Sequence, residues 1–246
     1  MFGECSLECA RRDSEMMRSD DSRLTSQARV KLAIFDIDKT FVHGDSFKWF
    51  CWFAMRANGI GLRWLWRFAF DALTHPTGLL DAGLLKKSCL RIFLVTNDKA
   101  ALRTLVKKFV ERVLIKRVHS AALNRLSWHK QQNHKIVFLS ASPDLYLTDL
   151  GARFGVDRSI CTKFLSLDGQ FTGDLFSVNC KGDEKRRRLL EVYPGTEIVW
   201  DQSYGYGNSV EDVSFLELLG NAVAVNPDAK LRRIAVQRNW AIEAWS

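Results

Sequence analysis

Ile34-Phe35-Asp36-Ile37-Asp38-Lys39-Thr40 carries an apolar run, beginning at Lys31, into two carboxylates spaced i and i+2. Residues two apart in an extended segment share a side. Asp36 and Asp38 can therefore converge on one small substrate as nucleophile plus acid and base, or hold a hard cation. A strand that merely runs into an acidic loop gives the same tripeptide, and motifs this short carry false positives. The rest of the chain has to choose.

Outward from this stretch, the next strand-like run is Lys135-Ile136-Val137-Phe138-Leu139-Ser140, about a hundred residues on. Between the two the pattern is helical. From Asn97, a plausible cap, apolar residues recur at Leu102, Leu105, Val106, Phe109, Val110, Val113 and Leu114, with Lys107, Lys108, Glu111 and Arg112 on the other face. After Ser140, Ser142-Pro143 reads as an N-cap with a first-turn proline, opening a helix that closes near Gly155. Leu165 to Phe171 reads as a hairpin around Asp168-Gly169. A basic helix from Asp183 to Tyr193 follows, stopped by Pro194-Gly195. Then come a strand over Glu197–Trp200, a helix over Ser209–Leu219 and a last strand over Ala222–Val225. Strands alternating with helices imply an α/β fold, a parallel sheet covered on both faces. Ligands of such sheets bind beyond the carboxyl ends of the strands, where Asp36 and Ser140 lie. The expected organisation is a flexible tail over residues 1–30, a Rossmann-like core over 31–44 and 133–246, and a helical cap over 45–132.

Composition narrows the partners. The chain has 246 residues, 47% hydrophobic and 26% charged, with a net charge of +8. Residues 1–30 hold five Arg against six acids, so the excess belongs to the folded body. Such a field suits phosphate esters, anionic lipid surfaces or nucleic acid, or serves solubility alone. No nucleic-acid reading motif is present. Cys5, Cys9, Cys51, Cys89, Cys161 and Cys180 are scattered with no Cys-x-x-Cys pair, which argues against a zinc site or a disulfide framework. The leader lacks the apolar core of a signal peptide, and no run of 18 uncharged apolar residues exists. A cytoplasmic, reducing compartment is expected, with peripheral membrane contact as its one extension.

Three more segments carry chemistry, each beside a bland account. Ser140-Ala141-Ser142-Pro143 offers a hydroxyl and free helix amides to a phosphate, although capping by Ser142 explains half of it. Lys181 and Lys185 flank a helix start and can neutralise a phosphoryl oxygen, while Arg186, Arg187 and Arg188 look like a solvated basic face. Gly207-Asn208-Ser209-Val210-Glu211-Asp212 places an amide and a carboxylate four apart, which capping and the helix dipole also explain.

In this order the four segments resemble the haloacid dehalogenase (HAD) superfamily of phosphotransferases. The helical insertion after the first motif is similar to the subfamily (IB) that includes phosphoserine phosphatases and a phosphatidylglycerophosphate phosphatase. Cys180-x-Gly182-x-x-Lys185 and Val223-Ala224-Val225-Asn226-Pro227-Asp228 fit a bacterial branch of it, and the likeness spans residues 31–245. It implies a phosphomonoester phosphatase in which Asp36 is the nucleophile, forming an aspartyl-phosphate, and Asp38 the acid and base. Ser140 and Lys185 would hold the phosphoryl group. Mg2+ would sit on the Asp36 carboxylate, the Asp38 carbonyl and Asn208, with Asp212 orienting a bound water. The family's spacing favours Lys185, 23 residues before Asn208, over Lys181, 27 before it. The neutral Asn208 stands where Asp is commoner, which implies weaker metal binding and leaves room for a catalytically weak phospholigand-binding protein. Asp201, an acid at the end of the expected Glu197–Trp200 strand, is a spare candidate ligand.

Substrate choice falls to the cap. Phe47, Trp49, Phe50, Trp52 and Phe53 cluster before Gly61 to Phe70, where Arg56, Arg63, Arg67 and Asp71 share one helical stripe. Such a helix either packs inside the cap or lies at a lipid interface. This surface is too aromatic for free phosphoserine and points to a phosphorylated lipid or other amphiphilic phosphate, with a phosphoserine-type small molecule as the alternative.

Overall fold

Leu32–Phe35 forms strand β1, with all four side chains buried. Leu32 and Ile34 enter one apolar cluster and Ala33 and Phe35 another. A strand covered on both faces needs just such an unbroken apolar run. The computed structural model describes residues 29–57, 99–167, 170–175, 177–195 and 197–246. The tail, the capping position Asn97, the arginine stripe beyond Arg56 and the Asp168-Gly169 turn lie outside these residues.

Among the described residues, β1 is followed by helices α1 (Ser46–Ala57), α2 (Lys99–Phe109) and α3 (Ser120–Gln131). A π-turn, Val110–Leu114, and a 3-10 turn, Ile115–Arg117, link α2 to α3. The remaining core elements are β2 (Lys135–Pro143), α4 (Asp144–Arg153), β3 (Arg158–Thr162), α5 (Asp183–Val192), β6 (Tyr204–Gly207), α6 (Val213–Leu216), β7 (Asn221–Val225), α7 (Ala229–Gln237) and β8 (Ala241–Glu243). β4 (Phe164–Leu167) and β5 (Gln170–Leu175) pair antiparallel as a separate hairpin.

The main sheet has the order β3-β2-β1-β6-β7-β8, and every pairing in it is parallel. From β1 the chain winds one way to β2 and β3, then crosses back to wind the other way through β6, β7 and β8. The gap between β1 and β6 is thus the switch point, where a crevice opens beyond the carboxyl ends. Asp36 follows β1 and Asn208 follows β6.

The excursion between β1 and β2 leaves and returns at one place. Val42 and Val118 form an antiparallel bridge. The His43 amide donates to the Arg117 carbonyl at 2.7 Å, and the His119 amide to the Phe41 carbonyl at 3.1 Å. Phe50 packs on Phe109 within the excursion and on Tyr146 of α4 in the core, with ring centroids 5.2 and 5.4 Å apart. Helix α3 lies inside the stretch expected to be cap, yet its buried side, Ala122, Leu126 and His129, packs on the sheet beside Phe35 and Tyr206.

Three expectations are corrected. Glu197–Trp200 is not a strand of the sheet; only Ile198 bridges, to Val30, and the strand is Tyr204–Gly207. That strand contains two glycines, and a Cβ at Gly205 would sit 2.3 Å from Leu219 Cδ1 and 3.0 Å from Leu216 Cδ2. Glycine is there because the helix presses onto the strand. The expected Ser209–Leu219 helix is a 3-10 turn, Val210–Asp212, followed by the short α6. Ser142 does not cap α4: β2 runs on through it and Pro143 takes the N-cap position with no side-chain bond. The short edge strand β8 gave no sequence signal. Of the arginine run, Arg187 is exposed and paired with Glu184 and Glu191, whereas Arg188 is buried and donates to the Cys161 carbonyl at 2.7 Å. No helix among the described residues is long and apolar enough to cross a membrane.

Beneath α3, His129 is fully buried between His134, 2.8 Å away through the Nδ1 atoms, and the Tyr206 hydroxyl at 2.9 Å. Burial, then His134 and Arg125, push its pKa down to about 3. The folded state thus refuses a proton that the unfolded chain accepts near pH 6.5, and stability falls as the pH drops below that value. Urea unfolding should lose about 1.4 kcal/mol per pH unit on this account between roughly pH 6 and 4. His129→Gln should flatten the slope by one proton, and an unchanged slope would refute the assignment.

Candidate active site

Asp36 is the first residue beyond β1, and its amide donates to the Tyr206 carbonyl at 2.9 Å, so the sheet itself fixes its backbone. After it the chain curls tightly: the amides of Phe41 and Val42 both donate to the Ile37 carbonyl, and Lys39 adopts φ 64. That curl returns the Thr40 hydroxyl to Asp36 Oδ2 at 2.9 Å.

Lys185, in the first turn of α5, reaches both acids of the crevice. Its Nζ lies 2.6 Å from Asp36 Oδ1 and 2.6 Å from Asp212 Oδ1, with all three side chains buried. Asp212 Oδ2 accepts the amides of Asn208 and Ser209 at 3.0 and 3.1 Å, closing a capping box with Ser209. The close loop needs Gly207, where a Cβ would fall 2.6 Å from Asp212 Cβ. The capping by Ser209 that the bland reading expects is thus present, and Asp212 both completes it and partners the lysine.

Comparison with known proteins agrees with this geometry. A profile described as haloacid dehalogenase-like hydrolase matches residues 33–217. The chain belongs to the haloacid dehalogenase-like hydrolases. Among curated relatives, a probable phosphatase of Mycobacterium tuberculosis is 27% identical over 149 residues, 61% of this chain and 52% of its own length. The chain thus spans about half the length of that relative. A protein of the same organism named phosphoserine phosphatase is 26% identical over 222 residues, 85% of this chain and 69% of its own. In fold, a crystal structure of a Bordetella pertussis Tohama I protein of unknown function superposes with a TM-score of 0.76 at 24% identity, covering 87% of this chain and 98% of the other.

Within this HAD-type crevice the electrostatics are uneven. Burial pushes Asp36 up to about 7, against the opposing pull of Lys185. Burial also disfavours the Lys185 ammonium, but Asp212 and Asp36 outweigh it and hold the lysine above its ordinary range. Asp38 is raised by burial, tempered by hydrogen bonds from Ser142 and Ser46. Its two oxygens accept the Ser46 amide at 2.7 Å and the Ser142 hydroxyl at 2.6 Å.

The other candidates sort clearly. Ser140 is buried in β2, beyond the Phe35–Phe138 register pair, and its Oγ accepts the Ser142 amide at 3.0 Å. Lys181 is outside the crevice, paired at the surface with Glu211 at 3.1 Å. Asp201 is exposed and precedes β6, at the amino end of the sheet, away from the crevice. Thr40, Ser46, Ser142 and Tyr146 were missed as functional residues. Thr40 closes the opening motif and could have been suspected, whereas nothing local marks the others.

The donor set suits a hard cation. Asp36 Oδ2 and Asn208 Oδ1 lie 2.9 and 3.5 Å from the same Thr40 hydroxyl, so an anionic and a neutral oxygen face one point. Among the described residues no three His, Cys, Asp or Glu side chains form a metal cluster, which leaves a site poor in anionic ligands.

Removing the lysine tests this arrangement. Lys185→Met leaves two buried carboxylates without their cation and should cost about 3–5 kcal/mol in urea unfolding. The loss should be greater at pH 8 than at pH 6, because acid neutralises Asp36, whose pKa burial already pushes up to about 7. A loss below about 1 kcal/mol would contradict the buried triad.

Proposed function

We propose that this protein is a magnesium-dependent phosphomonoester phosphatase working through an aspartyl-phosphate on Asp36. The observation that carries the reading is the Lys185 ammonium held between Asp36 and Asp212 at 2.6 Å from each, with Asp38 beside them. Asp36 attacks phosphorus, forming the Asp36–phosphorus bond as the ester oxygen departs with a proton from Asp38. Water then cleaves the acyl phosphate, its proton taken by Asp38. Lys185 and the Ser140 hydroxyl bind the phosphoryl oxygens, so most of the work is positioning and charge neutralisation. Asp36, the Asp38 carbonyl and Asn208 would hold Mg2+, with Asp212 at its edge, and the ion would supply charge neutralisation at the transferred group.

For the substrate, α1 is informative. Phe47 and Phe50 of its aromatic cluster are buried in the core, so packing consumes part of the apolar surface of α1 that suggested a lipid. A small phosphomonoester of the phosphoserine type is therefore the first reading. An amphiphilic phosphate is the second, favoured by Trp52, which is 59% exposed with the Arg56 guanidinium 4.8 Å above its ring. Contact with an anionic membrane surface belongs to that second reading.

Phosphate release from a panel containing phosphoserine, histidinol phosphate, aryl phosphates and lysophosphatidate, with and without Mg2+, tests both. Activity should vanish with chelator and fall by at least about 1000-fold in Asp36→Asn. Phosphoserine should exceed lysophosphatidate in kcat/KM; the reverse order selects the amphiphilic reading. Metal-independent turnover, or an active Asp36→Asn, would overturn the mechanism.

A further inference from the structure

We propose that Ser142, Ser46 and Tyr146 are positioning residues for Asp38, forming a one-way chain of hydroxyls that locks its carboxylate against the first cap helix. The proposal rests on the reading of Asp38 as acid and base, and deepens it. Its direction follows from counting protons, since each hydroxyl has one to donate. Ser142 gives its proton to Asp38 Oδ2 at 2.6 Å. The 2.9 Å contact between Ser142 and Ser46 must then use the proton of Ser46. The 3.0 Å contact between Ser46 and Tyr146 in turn uses the phenolic proton.

All three residues are fully buried, and they come from three elements: Ser142 from β2, Tyr146 from α4 and Ser46 from the start of α1. The remaining Asp38 oxygen is held by the Ser46 amide at 2.7 Å, at the positive end of that helix. Both oxygens are therefore anchored, one by the helix terminus and one by the chain. Bonds that donate in series polarise one another, so the far hydroxyl of Tyr146 also supports the charge on Asp38. That charge appears when Asp38 passes its proton to the leaving oxygen. The chain therefore matters most when the leaving group needs that proton.

Leaving-group dependence separates this role from simple packing. In single-turnover measurements of the phosphorylation step, Ser142→Ala should slow an alkyl phosphomonoester on the order of 10- to 100-fold. A para-nitrophenyl ester, whose leaving oxygen needs no proton, should change by less than about 3-fold. Tyr146→Phe, which conserves volume, should show the same selectivity at smaller size, and Ser142→Thr should restore the alkyl rate. Equal slowing of both esters, or no slowing in either variant, would overturn the proposal. Asp38→Asn is the control. Sparing of the alkyl ester by that variant would defeat the acid–base reading itself. Its loss of the alkyl ester while Ser142→Ala and Tyr146→Phe match the parent would defeat the hydroxyl chain alone. A parent enzyme that turns over neither ester would defeat both.

Discussion

One buried ammonium holds the crevice together. Asp36 and Asp212 are both removed from water, and two carboxylates in such a place repel each other. Lys185, itself buried, is the cation that makes their charge tolerable. Its partners lie 149 and 27 residues away along the chain, so the interaction exists only when β1, α5 and the loop after β6 have all arrived. With one positive charge against two negative ones, the cluster is left short of positive charge, beside oxygens of Thr40 and Asn208. A hard cation suits such a deficit.

The sheet explains why those three pieces meet. Winding reverses between β1 and β6, so the strand ends on either side of the reversal open a crevice with no crossover above it. The stack of Phe35 on Tyr206, 4.6 Å apart and nearly parallel, closes the sheet directly below. Rigidity at that point matters, because Asp36 follows Phe35 immediately and Asn208 follows Tyr206 by two.

What could be read from the chain was what local periodicity determines. Asp36 and Asp38 stood out because a two-residue repeat puts them on one side of an apolar run. Lys185 was separable from Lys181 only through the spacing that the family resemblance implies, and the structure puts Lys185 against Asp36 and Asp212. Asp201 went astray through one misplaced strand. With a strand at Glu197–Trp200 it sits at a carboxyl end, but once the strand is Tyr204–Gly207 the same residue falls at the amino end. Those glycines hide the strand locally, and what requires them lies further on: Leu219 for Gly205 and Asp212 for Gly207. Ser142 failed for a related reason: Ser-Pro is a sound local signal for a helix start, and only the distant Asp38 gives its hydroxyl another use. Propensity cannot register a partner 104 residues away.

The bridged segments at Phe41–His43 and Arg117–His119 have a bearing on insert length. Because departure and return are stitched side by side, the segment between them is topologically a tethered pendant whose two ends lie together. Its length can grow or shrink without altering the distance its ends must span, so closure entropy changes only slowly with size. A change of length between those ends therefore need not disturb the register of the sheet below.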